Sequence, residues 1–123
     1  MQPFDLVVIG SGPGGQRAAI QGAKAGKRVA IIERQTAVGG VSINIGTIPS
    51  KTMREAVLHL SGFYDKSFYG TNHNHKDAVT MGDLNFRVQH VVENEVGVIQ
   101  SQLKRNGVDL IHGIGQFIDA HHV

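Results

Sequence analysis

Apolar and polar positions along the chain fall into two kinds of run. Phe4 to Ile9 (FDLVVI) and Arg28 to Ile32 (RVAII) are short, rich in β-branched residues and closed by Gly10 and Glu33. Such runs predict strands buried in a parallel sheet. Between them, Pro13 stands where a first helical turn accepts proline. Ala18, Ala19, Ala23 and Ala25 then predict a small-residue helix, with Gly26 as its C-terminal cap. The second half of the chain carries a helical period. Leu84, Val88, Val91, Val92, Val96, Ile99 and Leu103 keep one face apolar, which predicts a long helix with a core or subunit-contact stripe. Thr80 and Asp83 form its capping-box-like start, and Gly107 ends it.

The remaining segments are read more coarsely. Gln35 to Ser50 is Gly-rich and expected to be irregular, Lys51 to Leu60 helical, and Gly62 to Met81 a loop. Val108 to Ile111 reads as a third strand and Gln116 to Asp119 as a fourth. The order β-α-β, a long excursion, then α-β predicts an α/β fold: part of a Rossmann-like, doubly wound parallel sheet. The βαβ crossover is expected to be right-handed.

Composition narrows the chemistry. The chain has 123 residues, 41% hydrophobic and 18% charged, which fits one small globular domain. Its net charge of +2 is too small to imply nucleic acid. Cys is absent, so this chain supplies no disulfide, thiolate metal site or thiol nucleophile. No apolar stretch is long enough to span a membrane, and Met-Gln-Pro-Phe-Asp lacks the zones of a signal peptide. A cytoplasmic protein is the expectation. His73-Asn74-His75 and His121-His122 are read as surface residues, and no metal site is expected. His59 and His90 are read as surface positions on helices.

The 16 glycines matter through their placement. Gly10-Ser11-Gly12-Pro13-Gly14-Gly15 matches G-x-G-x-x-G between a predicted strand and a predicted helix. The first Gly permits the tight turn, the second admits a pyrophosphate, and the third lets helix and strand pack closely. The helix N-terminus offers amides and a positive dipole end to the phosphates. Glu33 closes the second strand about 20 residues on, where a carboxylate accepts from ribose hydroxyls. That charge would repel a 2′-phosphate, so the site expects FAD or NAD and not NADP. Arg34 is grouped with the same contacts. These glycines alone leave FAD and NAD both open.

The segment Val38-Gly39-Gly40-Val41-Ser42-Ile43-Asn44-Ile45-Gly46-Thr47-Ile48-Pro49-Ser50-Lys51 resembles the flavin-side signature of the pyridine nucleotide–disulfide oxidoreductases, G-G-x-C-x-x-x-G-C-x-P-S-K. Gly39, Gly40, Gly46, Pro49, Ser50 and Lys51 match it, while Ser42 and Thr47 stand at the two cysteine positions. Within the family, the run Gly46 to Lys51 is similar to that of the flavin-dependent NAD(P)+ transhydrogenases, which read G-T-I-P-S-K there. The resemblance covers essentially the whole chain, up to the G-x-G-x-F run Gly113 to Phe117, which it places near the adenine through Gly115.

The resemblance implies FAD as cofactor, bound through Gly10, Gly12, Gly14, Gly15, Glu33, Arg34, Gly39, Gly40, Ser42, Thr47, Lys51 and Gly115. Lys51 and Thr47 are its candidate catalytic residues. A cation near the flavin suits negative charge that develops on reduction. Thr47 can donate to the flavin or cap a helix, and Ser42 is read as a helix cap or phosphate contact. The resemblance further implies that residues 1–123 are the N-terminal part of an FAD-binding domain. The NAD(P)-binding domain, the return segment and the C-terminal dimerisation domain would lie elsewhere. A full-length homodimer or higher homo-oligomer would then pass hydride from NADPH to NAD+ through FAD, and this portion alone is expected to be inactive. Two other readings stay open: a related flavin oxidoreductase with a quinone or dye-like acceptor, and a non-catalytic nucleotide-binding module.

Overall fold

A computed structural model describes residues 3–62 and 80–123. The expected loop between Gly62 and Met81, including His73-Asn74-His75, falls almost wholly outside the described residues.

Among the described residues the strands are β1 (Leu6–Ile9), β2 (Val29–Glu33) and β3 (Asp109–His112), and the helices are α1 (Pro13–Lys24), α2 (Gly40–Asn44), α3 (Thr47–Leu60) and α4 (Met81–Arg105). The sheet is parallel in the order β1-β2-β3. Leu6 pairs with Val29 and Ile9 with Ile32, while Ala30 pairs with Asp109 and Glu33 with His112. Parallel strands need crossovers, and α1 and α4 lie in the two that this order requires. Both crossovers step away from β1 in one direction. The reversal that makes a Rossmann-like sheet doubly wound would therefore begin at the other edge of β1.

β2 is central, and Val29, Ala30 and Ile31 are fully or almost fully buried. This explains the unbroken apolar run in the sequence. α1 packs on β1 and β2, and α4 packs on α1, α3 and β3. The α4 stripe faces the core: Leu84, Ile99 and Leu103 are buried, and Val92 and Val96 pack against the central cluster. Thr80 and Asp83 make a reciprocal capping box, the Thr80 hydroxyl accepting from the Asp83 amide at 3.3 Å and the Asp83 carboxylate from the Thr80 amide at 2.9 Å. Gly26 and Gly107 follow α1 and α4 with φ of 76° and 70°, the left-handed geometry that ends a helix.

Two expectations are corrected. Gln35 to Ser50 is not irregular throughout, because it contains α2, and α3 begins at Thr47 before the expected Lys51. Pro49 does not delay α3: it sits in the first turn, where an amide hydrogen has no helical acceptor. Gln116 to Asp119 is not a fourth strand. Its chain closes on itself, the Ile118 amide donating to the His122 carbonyl at 2.9 Å, and Phe117 and Ile118 point outward. With no strand paired to it among the described residues, its backbone groups take that local turn.

The glycine turn joins β1 to α1 with almost no clearance. A Cβ at Gly15 would stand 2.0 Å from the Gly10 carbonyl oxygen, whereas one at Gly14 would meet nothing within 4 Å. Gly15→Ala is therefore expected to cost roughly 1–3 kcal/mol or more, because backbone must move to admit it. Gly14→Ala should stay within about 0.5 kcal/mol. Urea unfolding of the two variants, side by side in nucleotide-free protein, checks the contrast.

Candidate functional site

The carboxyl ends of all three strands open into one cavity of about 680 Å³. Its lining comes from the end of β1 and the glycine turn (Ile9 to Gly12), from β2 and the residues after it (Ile32 to Ala37), from α2, and from Gly113 to Gly115. Ligands of open parallel α/β sheets bind in this crevice, because the loops that leave the strand ends diverge there. Two backbone bonds draw the loops together. The Gly10 amide donates to the Ile32 carbonyl at 2.7 Å, and the Gly113 amide to the Glu33 carbonyl at 2.9 Å.

The turn itself needs glycine. Gly10 has φ of 97°, which L side chains rarely adopt. Gly12 precedes α1 with ordinary extended φ and ψ, yet a Cβ there would meet nothing within 4 Å. Its missing side chain leaves open space next to the helix start. No side chain caps α1, and Pro13 is its first residue. The first amides and the positive end of the helix dipole are therefore available to an anion.

Glu33 is 6% exposed at the end of β2. Oε2 accepts the Ser11 amide at 2.9 Å and the Ser11 hydroxyl, and Oε1 accepts the Gln35 amide at 2.9 Å. Burial pushes this carboxyl up. The Ser11 hydroxyl and the amides of Gln35, Ser11 and Arg34 outweigh burial and hold it below its ordinary value. The site thus keeps a carboxylate, which accepts hydrogen bonds and donates none.

Of the residues singled out from sequence, Gly10, Gly12, Glu33, Arg34, Gly40 and Gly115 line this cavity together. Gly14 and Gly15 lie in the first turn of α1 beside it. Gly39 is buried behind the wall, with φ of 113° and its amide on the Ser11 hydroxyl oxygen at 3.0 Å. Ser42 sits inside α2 and donates its hydroxyl to the Gly39 carbonyl at 3.2 Å. It is neither a helix cap nor part of the cavity lining. Thr47 is the first residue of α3 and does not cap it: Gly46 holds the cap position, and no side chain caps that end. Lys51 lines a different groove of about 890 Å³ between α3 and α4, with Thr52, Glu55, Phe86 and Arg87 among its neighbours. The described residues do not bring Lys51 and Glu33 into one cavity. Phe117, the last residue of the G-x-G-x-F run, is 74% exposed and outside the lining.

Sequence reading missed Ser11 and Asn44. Ser11 fills the variable place between the first two glycines, where a small hydroxyl is the available signal. Asn44 lines the cavity while its amide group donates to the Val38 and Gly40 carbonyls at 3.1 and 3.0 Å. No local pattern announces that role, since its acceptors are set by the path of the loop. Among the described residues no group of three or more His, Asp or Glu could hold a metal ion, and no helix is long and apolar enough to cross a membrane. His122 pairs with Asp119 at 2.6 Å on the surface.

Residues 4–123 match the family model described as pyridine nucleotide-disulphide oxidoreductase. Over its 123 residues the chain is 57% identical to proteins named soluble pyridine nucleotide transhydrogenase from Mycobacterium bovis and Mycobacterium tuberculosis. It is 41% identical over 120 residues to the protein of that name from Vibrio cholerae. All or 98% of this chain is covered in these matches, but only 26% of each relative. The chain thus spans about a quarter of the length of these curated relatives.

The geometry at Glu33 sets a pH dependence. A carboxyl whose folded value lies below its unfolded one adds stability that is complete above the unfolded value and lost as pH falls through the folded one. The ordinary value here is 4.5 and the shift is downward. Resistance to urea is therefore expected to decline as pH falls below about 4.5, and Glu33→Gln should flatten that part of the profile. Unfolding midpoints measured from about pH 6 to pH 3 check this.

Proposed function

The chain belongs to the pyridine nucleotide-disulphide oxidoreductase family, and from that premise we propose that it forms the ADP-binding part of an FAD site in a longer flavoprotein that transfers hydride from NADPH to NAD+. The observation that carries the reading is the single cavity joining the uncapped start of α1 to the buried Glu33 carboxylate. The residues present fit FAD. Open space over Gly12 and the first amides of α1 suit a pyrophosphate, and Glu33 Oε1 keeps acceptor capacity for a ribose hydroxyl. When bound, FAD supplies the two-electron chemistry that accepts a hydride from one nicotinamide and passes it to another.

The chain's own residues hold and orient. The glycine turn admits the phosphates, the α1 dipole opposes their charge, and Glu33 fixes the ribose. Its negative charge disfavours a 2′-phosphate at this place. Arg34, Gly40 and Gly115 complete the cofactor contacts, with Gly14, Gly15, Gly39 and Ser42 supporting the turn and wall. Lys51 is the proposed cation for charge developing on the reacting end of the cofactor, and Thr47 a hydroxyl donor there. Ser42 and Thr47 at the cysteine positions exclude a local dithiol relay, so reducing equivalents leave directly to an acceptor. The similarity to soluble transhydrogenases favours a second nicotinamide nucleotide as that acceptor. The full-length protein is proposed to be cytoplasmic and homo-oligomeric.

Gly12→Val tests the binding assignment. The backbone at Gly12 is open to any residue and the first added atom meets no protein, so the variant should fold. Its side chain should nevertheless occupy the phosphate path and abolish FAD uptake by the full-length apoprotein. Unchanged FAD affinity in calorimetric titration would remove the assignment.

Lys51→Ala in the full-length holoenzyme should slow flavin reduction by NADPH more than it weakens NADPH binding, because the ammonium acts where charge develops. Stopped-flow absorbance resolves the two effects. Steady-state assay with NADPH and NAD+ should give ping-pong kinetics. Strong disulfide reductase activity would contradict the direct-acceptor reading.

A further inference from the structure

Ser11 stands between the first two glycines of the turn and is fully buried. Its hydroxyl has one proton to donate and two lone pairs. The proton goes to Glu33 Oε2, and the oxygen accepts the Gly39 amide at 3.0 Å. The Ser11 amide donates to the same carboxylate oxygen at 2.9 Å, and its carbonyl accepts from Gln16 Nε2 at 2.6 Å. One short side chain thereby ties the glycine turn to the end of β2 and to the loop that enters α2.

That loop is itself a wall of the cavity. Gly40 backs directly onto Gly12, so closely that a Cβ on Gly40 would stand 2.9 Å from the Gly12 Cα. Any shift at Gly39 and Gly40 is felt at the residue whose open face admits an anion. Removing the hydroxyl would leave the buried Gly39 amide without its acceptor and reduce the donors on Glu33 Oε2 to one. A buried amide cannot be left unpaired without cost, so the loop would move.

We propose that Ser11 is a positioning residue of the nucleotide site, its hydroxyl fixing the Glu33 carboxylate and the Gly39–Gly40 wall as one unit. The ribose acceptor and the phosphate path are then set together and not by separate loops. This inference rests on the nucleotide-binding reading above. Among the described residues, other charges near Glu33 are few. Arg34 is the other charged residue among those lining the cavity, and His112 lies opposite Glu33 on β3 with Nδ1 at 3.3 Å from the Gln35 carbonyl. Neither changes when Ser11 is altered.

FAD titration of the full-length apoprotein across pH, in wild type and Ser11→Ala, tests the proposal. Affinity should fall on the acid side as Glu33 gains a proton. Loss of the Ser11 donor should move that fall to higher pH and weaken FAD binding roughly tenfold at neutral pH. In a Glu33→Gln background, Ser11→Ala should no longer displace any acid fall. Hydrogen exchange should show the Gly39 amide protected in wild type and open in Ser11→Ala. If the alanine variant fails to fold, Ser11→Cys is read in the same way, since it preserves shape and weakens the bond. An acid fall that stays in place when the hydroxyl is lost, whatever the drop in melting temperature, assigns Ser11 to packing alone and overturns the proposal. A wild-type protein that takes up no FAD at any pH would instead sink the nucleotide reading and this inference with it.

Discussion

The buried contact between Ser11 and Glu33 is the constraint on which the rest of the site depends. A carboxylate at 6% exposure is costly unless donors surround it. Here the donors come from the residue between two glycines and from the backbone just after β2. The turn after β1 must therefore close on the end of β2 for Glu33 to be tolerated in its ionised form. No buried side-chain nitrogen or oxygen among the described residues lacks a partner. The same closure leaves the carboxylate facing a cavity.

Glycine contributes through two different constraints in this small region. At Gly10 and Gly39 the backbone has positive φ, and a side chain is disfavoured by conformation. At Gly15 and Gly40 the neighbouring backbone is too near for a Cβ. Gly12 meets neither constraint, since its backbone is ordinary and its surroundings empty. The open space over Gly12 lies beside the uncapped start of α1, which is what the proposed nucleotide site would use.

The groove that holds Lys51 is built differently. α3 and α4 form it by packing against each other, and Ala56 of α3 is buried in its lining. Lys51 and Arg87 both line it, together with Glu55 and Asp83. Among the described residues that line that groove, side chains of two helices predominate, without the glycine turn of the other cavity. Under the proposed function, the adenosine end of the cofactor would be held by backbone geometry and the reacting end by a side chain on a separate helix.

Local patterns in the sequence determined the strands, α1, α4 and the glycine turn, because each leaves its mark in residues a few positions apart. β-branched runs mark buried strands, the valine stripe marks the inner face of α4, and the G-x-G-x-x-G spacing marks a strand-to-helix turn. The acidic residue was legible too, since Glu33 ends an apolar run at the right distance from the turn. Only the tertiary structure decided what depends on neighbours distant in the chain. Gln116 to Asp119 reads as a strand but has none paired to it among the described residues, and its backbone turns on itself. α2 and the early start of α3 arise in a Gly-rich stretch where local propensity is weak, and packing beside α4 selects the helical form. Ser11 occupies the variable place between two glycines. Its hydroxyl acquired a role only when folding brought Glu33, 22 residues away, and Gly39, 28 residues away, within hydrogen-bond reach, because a hydrogen bond needs geometry that sequence spacing cannot supply.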